Sequence, residues 1–368
     1  WGMLKEINNI SDFFPSEFLQ KHKLVSRYEA LHWIHFADKE KDVKRAIYRL
    51  KFDEHFFLQL LMALKKESNC RVGTKPLDKT GPHVKLIYDQ LNFELTDAQN
   101  RVLKEIRTDL GKPITMNRLL QGDVGSGKTI VAVLAAAIAI GNNVQIAVMA
   151  PTEILVRQHY ESFKKFSEIG KITCAILVGN TKEGERKKVI DALKTGRIDL
   201  IVGTHALIQK DIEFKNLGLV IVDEQHRFGV VQRGDLVEKG LNPHFLAMTA
   251  TPIPRTLAIT YHGDMDLSII DELPKHRKPV ITKKIGPERL KNVYNFMNNE
   301  VSKGRQCMIV YPLVEETEKS DLAAAVEAYE TLSRTAFTDV NVGLIHGRMK
   351  KEEKDNIMNE FSDNRIQI

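Results

Sequence analysis

Cysteine is nearly absent from this chain. Cys70, Cys174 and Cys307 are the only three, they stand far apart, and none belongs to a Cys-x-x-Cys pair, so neither a disulfide framework nor a zinc site is expected. A reducing cytoplasm is the natural home. Long apolar runs are missing as well: the best, Ile130 to Ile140, falls short of the roughly 18 residues a membrane span needs. The amino end, Trp1-Gly2-Met3-Leu4-Lys5-Glu6, lacks the apolar core of a signal peptide. No membrane partner and no secretory leader are expected. His22, His32, His35 and His55 have no cysteine or carboxylate partners at ligand spacing and read as solvated or packed side chains. A net charge of +6 and a pI near 9.0 fit a polyanionic partner, but many mildly basic enzymes have none.

What is present is ordinary soluble composition, 43% hydrophobic and 28% charged over 368 residues, enough for two or three domains with real cores. The informative stretch is Leu119-Leu120-Gln121-Gly122-Asp123-Val124-Gly125-Ser126-Gly127-Lys128-Thr129. Two apolar residues run into Gly-x-x-x-x-Gly-Lys-Thr and then into an apolar helix, which is a phosphate-binding loop in its proper setting. The glycines let successive backbone N–H groups turn inward, and the helix that follows points its positive end at the phosphates. Lys128 would reach the β- and γ-phosphates, and Thr129 would ligate Mg²⁺.

A second stretch supplies what such a loop needs. Leu217-Gly218-Leu219-Val220-Ile221-Val222-Asp223-Glu224 reads as a buried strand delivering two carboxylates at its carboxyl end, where open α/β sheets place ligands. Asp223 would hold Mg²⁺ through water, and Glu224 would polarise the water that attacks the γ-phosphate. Apolar runs ending in Asp-Glu also occur as plain strand ends; pairing with the loop about a hundred residues upstream gives this one its meaning.

Around these stretches the chain falls into three parts. Residues 1–90 read as a helical linker, with Lys41 to Glu67 as one long amphipathic helix striped by Val43, Ile47, Leu50, Phe57, Leu61 and Leu64, and a capping box at Ser26 and Glu29. Ser68 to Pro82 reads as a loop. Residues 91–280 alternate short β-branched runs with helices, the pattern of a parallel sheet covered on both faces. Its expected strands are Asn117 to Gln121, Val144 to Ala150, Ile172 to Val178, Asp199 to Gly203, Leu217 to Val222 and His244 to Met248. Its expected helices are Ile130 to Ile140, Ile154 to Phe166 and Gly184 to Leu193. Residues 281–368 begin a second βα series, with Gln306 to Tyr311 and Val342 to His346 as strands.

Four of these motifs together carry a family resemblance. Gly122 to Thr129, Ala150-Pro151-Thr152-Glu153, Asp223-Glu224-Gln225-His226 and Thr249-Ala250-Thr251 resemble motifs of superfamily 2 helicases. Asp223 to Val230 and Met248 to Leu257 are similar, within that superfamily, to the RecG family of branched-DNA helicases. The resemblance implies two RecA-like α/β domains with Mg²⁺-ATP between them and a motor acting on replication forks and Holliday junctions in recombination and repair. Replication or repair proteins would meet it through the parent protein. It implies that Gln99 reads adenine while Phe93 stacks on the base, and that Thr152, Glu153, Thr204 and His205 grip DNA phosphates. Thr249 and Thr251, linked by His226, would couple nucleotide state to domain closure. Tyr311 and Gly343 to Met349 match the opening motifs of the second domain.

The same resemblance implies a fragment. A DNA wedge would precede Trp1 and an arginine finger would follow Ile368, so slow turnover is expected from this chain alone. The transcription-repair coupling translocases share the loop and an Arg-Phe-Gly-Val segment, although Ser126 and the Asp-Glu-Gln-His tetrad favour the RecG family. A nucleotide- and DNA-binding module without turnover is the alternative from another class. A P-loop kinase or transporter ATPase would have no role for Thr249-Ala250-Thr251.

Overall fold

The computed structural model describes residues 10–69, 74–224, 230–251, 265–274, 280–311 and 318–368. It divides into two compact units, Trp1–Arg277 and Lys278–Ile368. The first opens with α1 (Ser16–Lys21), α2 (Arg27–Phe36) and α3 (Glu40–Asn69). The expected capping box starts α2: Glu29 N donates to Ser26 Oγ, and Ser26 N donates to the Glu29 carboxylate.

The long helix forms as expected, but a different face of it is packed. Ile47, Phe57, Leu61 and Leu64 of the apolar stripe are exposed, whereas Ala46, Arg49 and Asp53 are buried. Arg49 donates to Asp12 at 2.8 Å, to Asp53 at 2.7 Å and to the Val25 carbonyl at 2.6 Å. Its guanidinium also lies 5.2 Å from the ring centre of Phe14. Apolar periodicity counts arginine as an outside residue. An arginine whose fork is filled by two carboxylates and a carbonyl can instead be the centre of a small core.

From residue 74 the chain joins the sheet-bearing body. Leu77 and Ile87 lie in the same core as the sheet, and Leu77 N donates to Leu110 O at 2.7 Å. Helix α4 (Gly81–Asp89) docks on the ends of two later helices: His83 Nδ1 donates to Gly170 O and Asn142 Nδ2 to Lys79 O, both at 2.8 Å. Gly81 has φ +63°, and a Cβ there would stand 2.8 Å from Gly141 Cα. The linker expected over 1–90 therefore shares the sheet's core in its last part.

The body continues as α5 (Asp97–Leu110), β1 (Asn117–Gly122), α6 (Lys128–Ile140), β2 (Gln145–Met149), α7 (Glu153–Gly170), β3 (Cys174–Leu177), α8 (Glu183–Thr195), β4 (Leu200–Gly203), β5 (Leu217–Asp223), α9 (Val230–Val237), β6 (His244–Thr249) and β7 (Asp266–Ile270). The seven strands form one sheet in the order β3-β4-β2-β5-β6-β1-β7. Every pairing is parallel. All six expected strands are present, with ends within two residues of those read from the sequence; β7 and α9 were not read from it. Both faces are covered: α4 to α7 contribute to one apolar cluster, and α8 and α9 to the other. Helix α6 is buried at every position from Ile130 to Ile140, which accounts for its apolar residues all round. This is the RecA-like α/β fold. No helix among the described residues is long and apolar enough to cross a membrane.

The second unit holds α10 (Leu290–Ser302), α11 (Glu318–Thr335) and α12 (Lys351–Ser362), with a small core of Met297, Phe337 and Ile368 to which α10 and α11 contribute. The expected strands Gln306 to Tyr311 and Val342 to His346 do not form regular strands. Cys307 N donates to Gln367 O and Gly343 N to Ile368 O, both at 2.9 Å. The carboxyl segment thus lies between them with too few bonds to make a regular ladder.

One buried residue at the amino edge of the sheet makes stability depend on pH. His244 is 1% exposed, and its Nδ1 accepts from Met116 N at 3.0 Å. Burial pushes its pKa from 6.5 down to about 4, against the opposing influence of the Lys75 backbone and Asp109. The unfolded chain therefore takes up this proton first, and stability is lost as pH falls from about 6.5 to 4, by about 3 kcal/mol at most. His244→Asn keeps an acceptor for Met116 N without the titration. Denaturant melts between pH 7 and 4 are expected to show a shallower loss for this variant than for the wild type; equal slopes would contradict the assignment.

Candidate functional site

Strand β1 runs directly into the phosphate-loop sequence. Ser126 N donates to Asp123 O at 3.1 Å and Val124 N to Asp123 Oδ1 at 2.7 Å, so the chain turns tightly before α6 begins at Lys128. Gly127 sits at φ +86°, where an L side chain is strained, and a Cβ there would press on Gln99 Nε2 at 2.2 Å. Among the described residues no side chain caps α6, which leaves its first N–H groups and the positive end of its dipole for an anion. Lys128 Nζ donates to Gly122 O at 2.7 Å and Asp123 O at 3.0 Å, folded back along the loop. Burial lowers its pKa, and Asp223, Glu224 and Asp123 act in the other direction. The lysine and the two carboxylates expected to serve the same phosphate are therefore neighbours.

The parallel sheet brings the remaining expected residues to one edge. Ordered by strand, β4 is followed by Thr204 and His205, β2 by Thr152 and Glu153, β5 ends at Asp223 before Glu224, β6 ends at Thr249, and β1 leads into the loop. The strands β4 and β2, which lead to the expected DNA-gripping residues, lie on one side of β5, and the loop lies on the other. Thr249 and Thr251 hydroxyls are 2.8 Å apart. Glu224 has φ +51°, a left-handed conformation that costs a non-glycine residue roughly 1–2 kcal/mol. His226 lies outside the described residues.

Some side chains stand differently from their expected roles. Gln99 is 2% exposed: its Oε1 accepts from Thr96 N at 2.9 Å, and its Nε2 donates to Ser126 O at 2.8 Å. It closes the capping box of α5 and clamps the phosphate loop at the same time. Phe93 is exposed. Thr152 caps α7 through Leu155 N at 3.3 Å. Thr204 is buried, with its hydroxyl accepting from Ala206 N at 3.4 Å, so it shapes its turn rather than presenting an open hydroxyl; His205 is at the surface.

Two features were not read from the sequence. His159 Nε2 donates to Asp223 Oδ2 at 2.7 Å, and both residues are buried. At the sheet edge Glu272 Oε2 accepts from Ala98 N at 3.0 Å, and Arg101 pairs with Asp271 at 2.9 Å. This ties the residues after β7 to the start of α5, next to Gln99. A histidine within the buried stripe Val156, His159, Phe163 of α7 was the available signal for the first.

The loop, the paired carboxylates and the RecA-like parallel sheet lie in the segment, residues 96–259, that matches the family model of the DEAD/DEAH box helicases. Over nearly its whole length the chain is similar to RecG helicases. It is 46% identical to the ATP-dependent DNA helicase RecG of Streptococcus pneumoniae over 98% of this chain and 53% of that protein. It is 44% identical to the RecG of Thermotoga maritima over 98% of this chain and 46% of that one. A solved structure of RecG bound to a three-way DNA junction superposes with a TM-score of 0.80 at 41% identity, over 98% of this chain and 47% of that chain. The chain thus spans about half the length of the curated relatives it matches.

The double use of Gln99 is testable by substitution. Gln99→Ala keeps the Thr96 Oγ cap but removes the acceptor for Thr96 N and the clamp on Ser126 O together, and is expected to cost about 1–2 kcal/mol. Gln99→Glu keeps the acceptor for Thr96 N but turns a carboxylate toward Ser126 O, and is expected to cost more. Urea melts that rank the glutamate variant equal to wild type would show that the clamp is misassigned.

Proposed function

We propose that this chain is the nucleotide-driven motor part of a DNA helicase or translocase that acts on branched DNA. The observation that supports it most is the single sheet edge, which holds the Gly122–Thr129 loop, the Asp223–Glu224 pair and the loops after β2 and β4. The RecG relatives, one of them solved on a three-way junction, support the choice of substrate.

The residues suit Mg²⁺-ATP. Among the described residues no cluster of three or more His, Cys, Asp or Glu side chains is placed to cage a metal. Mg²⁺ in nucleotide sites is commonly held by one or two protein oxygens together with phosphates and water, and Thr129 and Asp223 are suitable donors. When bound, the metal would neutralise charge developing on the phosphates. In this reading the loop N–H groups and Lys128 bind and orient the triphosphate, with Lys128 exchanging its bonds to Gly122 O and Asp123 O for phosphate oxygens. Glu224 orients and deprotonates water. Gln99 and Phe93 are proposed for the base, through Gln99's remaining N–H and the exposed ring. Thr152, Glu153, His205 and the turn built by Thr204 are proposed for the DNA backbone. The Thr249–Thr251 pair, with His226, is proposed to relay nucleotide state.

Lys128→Ala should abolish calorimetric binding of a non-hydrolysable ATP analogue, because it removes the mobile cation of the loop. Glu224→Gln should bind that analogue as wild type does and, in the full-length parent protein, lose ATP turnover. Unchanged affinity in the first, or normal turnover in the second, would sink the corresponding role.

Phosphate-directed contacts also predict how DNA binding responds to salt. The logarithm of affinity should fall linearly with the logarithm of salt concentration, and scrambling the sequence of a junction should change little. Fluorescence anisotropy showing strong preference for one sequence would contradict backbone recognition.

A further inference from the structure

We infer that His159 is a positioning residue that sets the orientation of Asp223, and thereby the strength with which the site holds Mg²⁺; the inference rests on the reading of Asp223 as the metal-side carboxylate. The bond is short, at 2.7 Å, and links α7 to the carboxyl end of β5. His159 is 7% and Asp223 9% exposed, so little water is available to substitute for either partner. An ionised carboxylate only accepts, so the hydrogen is on His159 Nε2 and the imidazole plane is aimed at Oδ2. Without that bond the carboxylate could rotate about two side-chain torsions. With it, Oδ2 is committed and Oδ1 is the oxygen left for the metal or its water.

The setting of the histidine supports a role beyond packing. It lies in the buried stripe of α7 with Val156 and Phe163, where an apolar residue of similar size would fill the space without a polar group to satisfy. The helix that holds it starts at Thr152, on the side of the sheet proposed to meet DNA. Asp223 is therefore oriented from the DNA-side helix and not from the phosphate loop. Partners that hydrogen-bond a ligating carboxylate typically alter metal affinity by about 10–100-fold when removed.

Calorimetry on the 368-residue chain tests this with a non-hydrolysable ATP analogue, titrated at rising Mg²⁺ and again with chelator. His159→Leu and His159→Asn are expected to raise the Mg²⁺ concentration needed for half-maximal enhancement about tenfold or more, while affinity in chelator stays that of the wild type. His159→Gln, whose amide reaches about as far as Nε2, should return the midpoint to within about threefold. If the leucine variant does not fold, the asparagine and glutamine pair answers the same question. An unshifted midpoint in the leucine or asparagine variant overturns the inference, as does an equal shift in all three variants that follows their melting temperatures. If the wild type shows no enhancement by Mg²⁺, the assignment of Asp223 falls and this inference with it; enhancement that is insensitive to His159 removes this inference alone.

Discussion

Parallel pairing is the constraint on which the site depends. In a sheet whose strands all run one way, every strand delivers its carboxyl end to the same edge, so residues from five strands meet without any long loop having to reach. The order β4-β2-β5-β6-β1 then decides who neighbours whom. Asp223 sits between the phosphate loop and the proposed DNA side because β5 does, and a one-strand change in order would separate it from Lys128. Full burial of β2, β4 and β6 keeps the edge in register, since slipping any of these strands would break ladder bonds that have no water to replace them.

The same burial explains how much could be read in advance. The strands are continuous apolar runs because both faces are covered, and such runs are visible without any tertiary knowledge. The phosphate-loop sequence is equally visible, because its glycines stand at fixed places and Gly127 is held at φ +86°, where an L side chain is strained. Helix α3 was visible as a helix and misjudged as a face. Its packed side is organised by Arg49, and removing one partner from such a buried ionic cluster typically costs about 3–5 kcal/mol. Periodicity weighs apolar area and is blind to a buried ionic cluster.

The handover from linker to sheet shows a related blindness. Nothing in the composition of residues 74–89 says that Leu77 and Ile87 belong to the core of a sheet that begins after them. The docking is made by backbone approach, Gly81 against Gly141, and by single polar bonds from His83 to Gly170 O and from Asn142 to Lys79 O. These contacts fall at the carboxyl ends of α6 and α7. The amino ends of those helices hold the phosphate loop and the Thr152 turn, so α4 grips the far ends of the two levers on which the site is built.

The two halves of the site are therefore specified in different ways. The half proposed for the nucleotide is a backbone structure: glycine torsions, helix N–H groups and one lysine, all contiguous in the chain and all legible as a motif. The carboxylate half is a side-chain structure assembled from distant positions, with Asp223 held by His159 across 64 residues and Glu224 held in a left-handed conformation that the surrounding sheet must sustain. A motif can name Asp223 and Glu224 because the strand delivers them. It cannot name the group that aims them, since a histidine in the apolar stripe of a helix has the same local pattern whether it fills space or orients a carboxylate. Only the fold, by bringing α7 to the end of β5, sets that residue against Asp223.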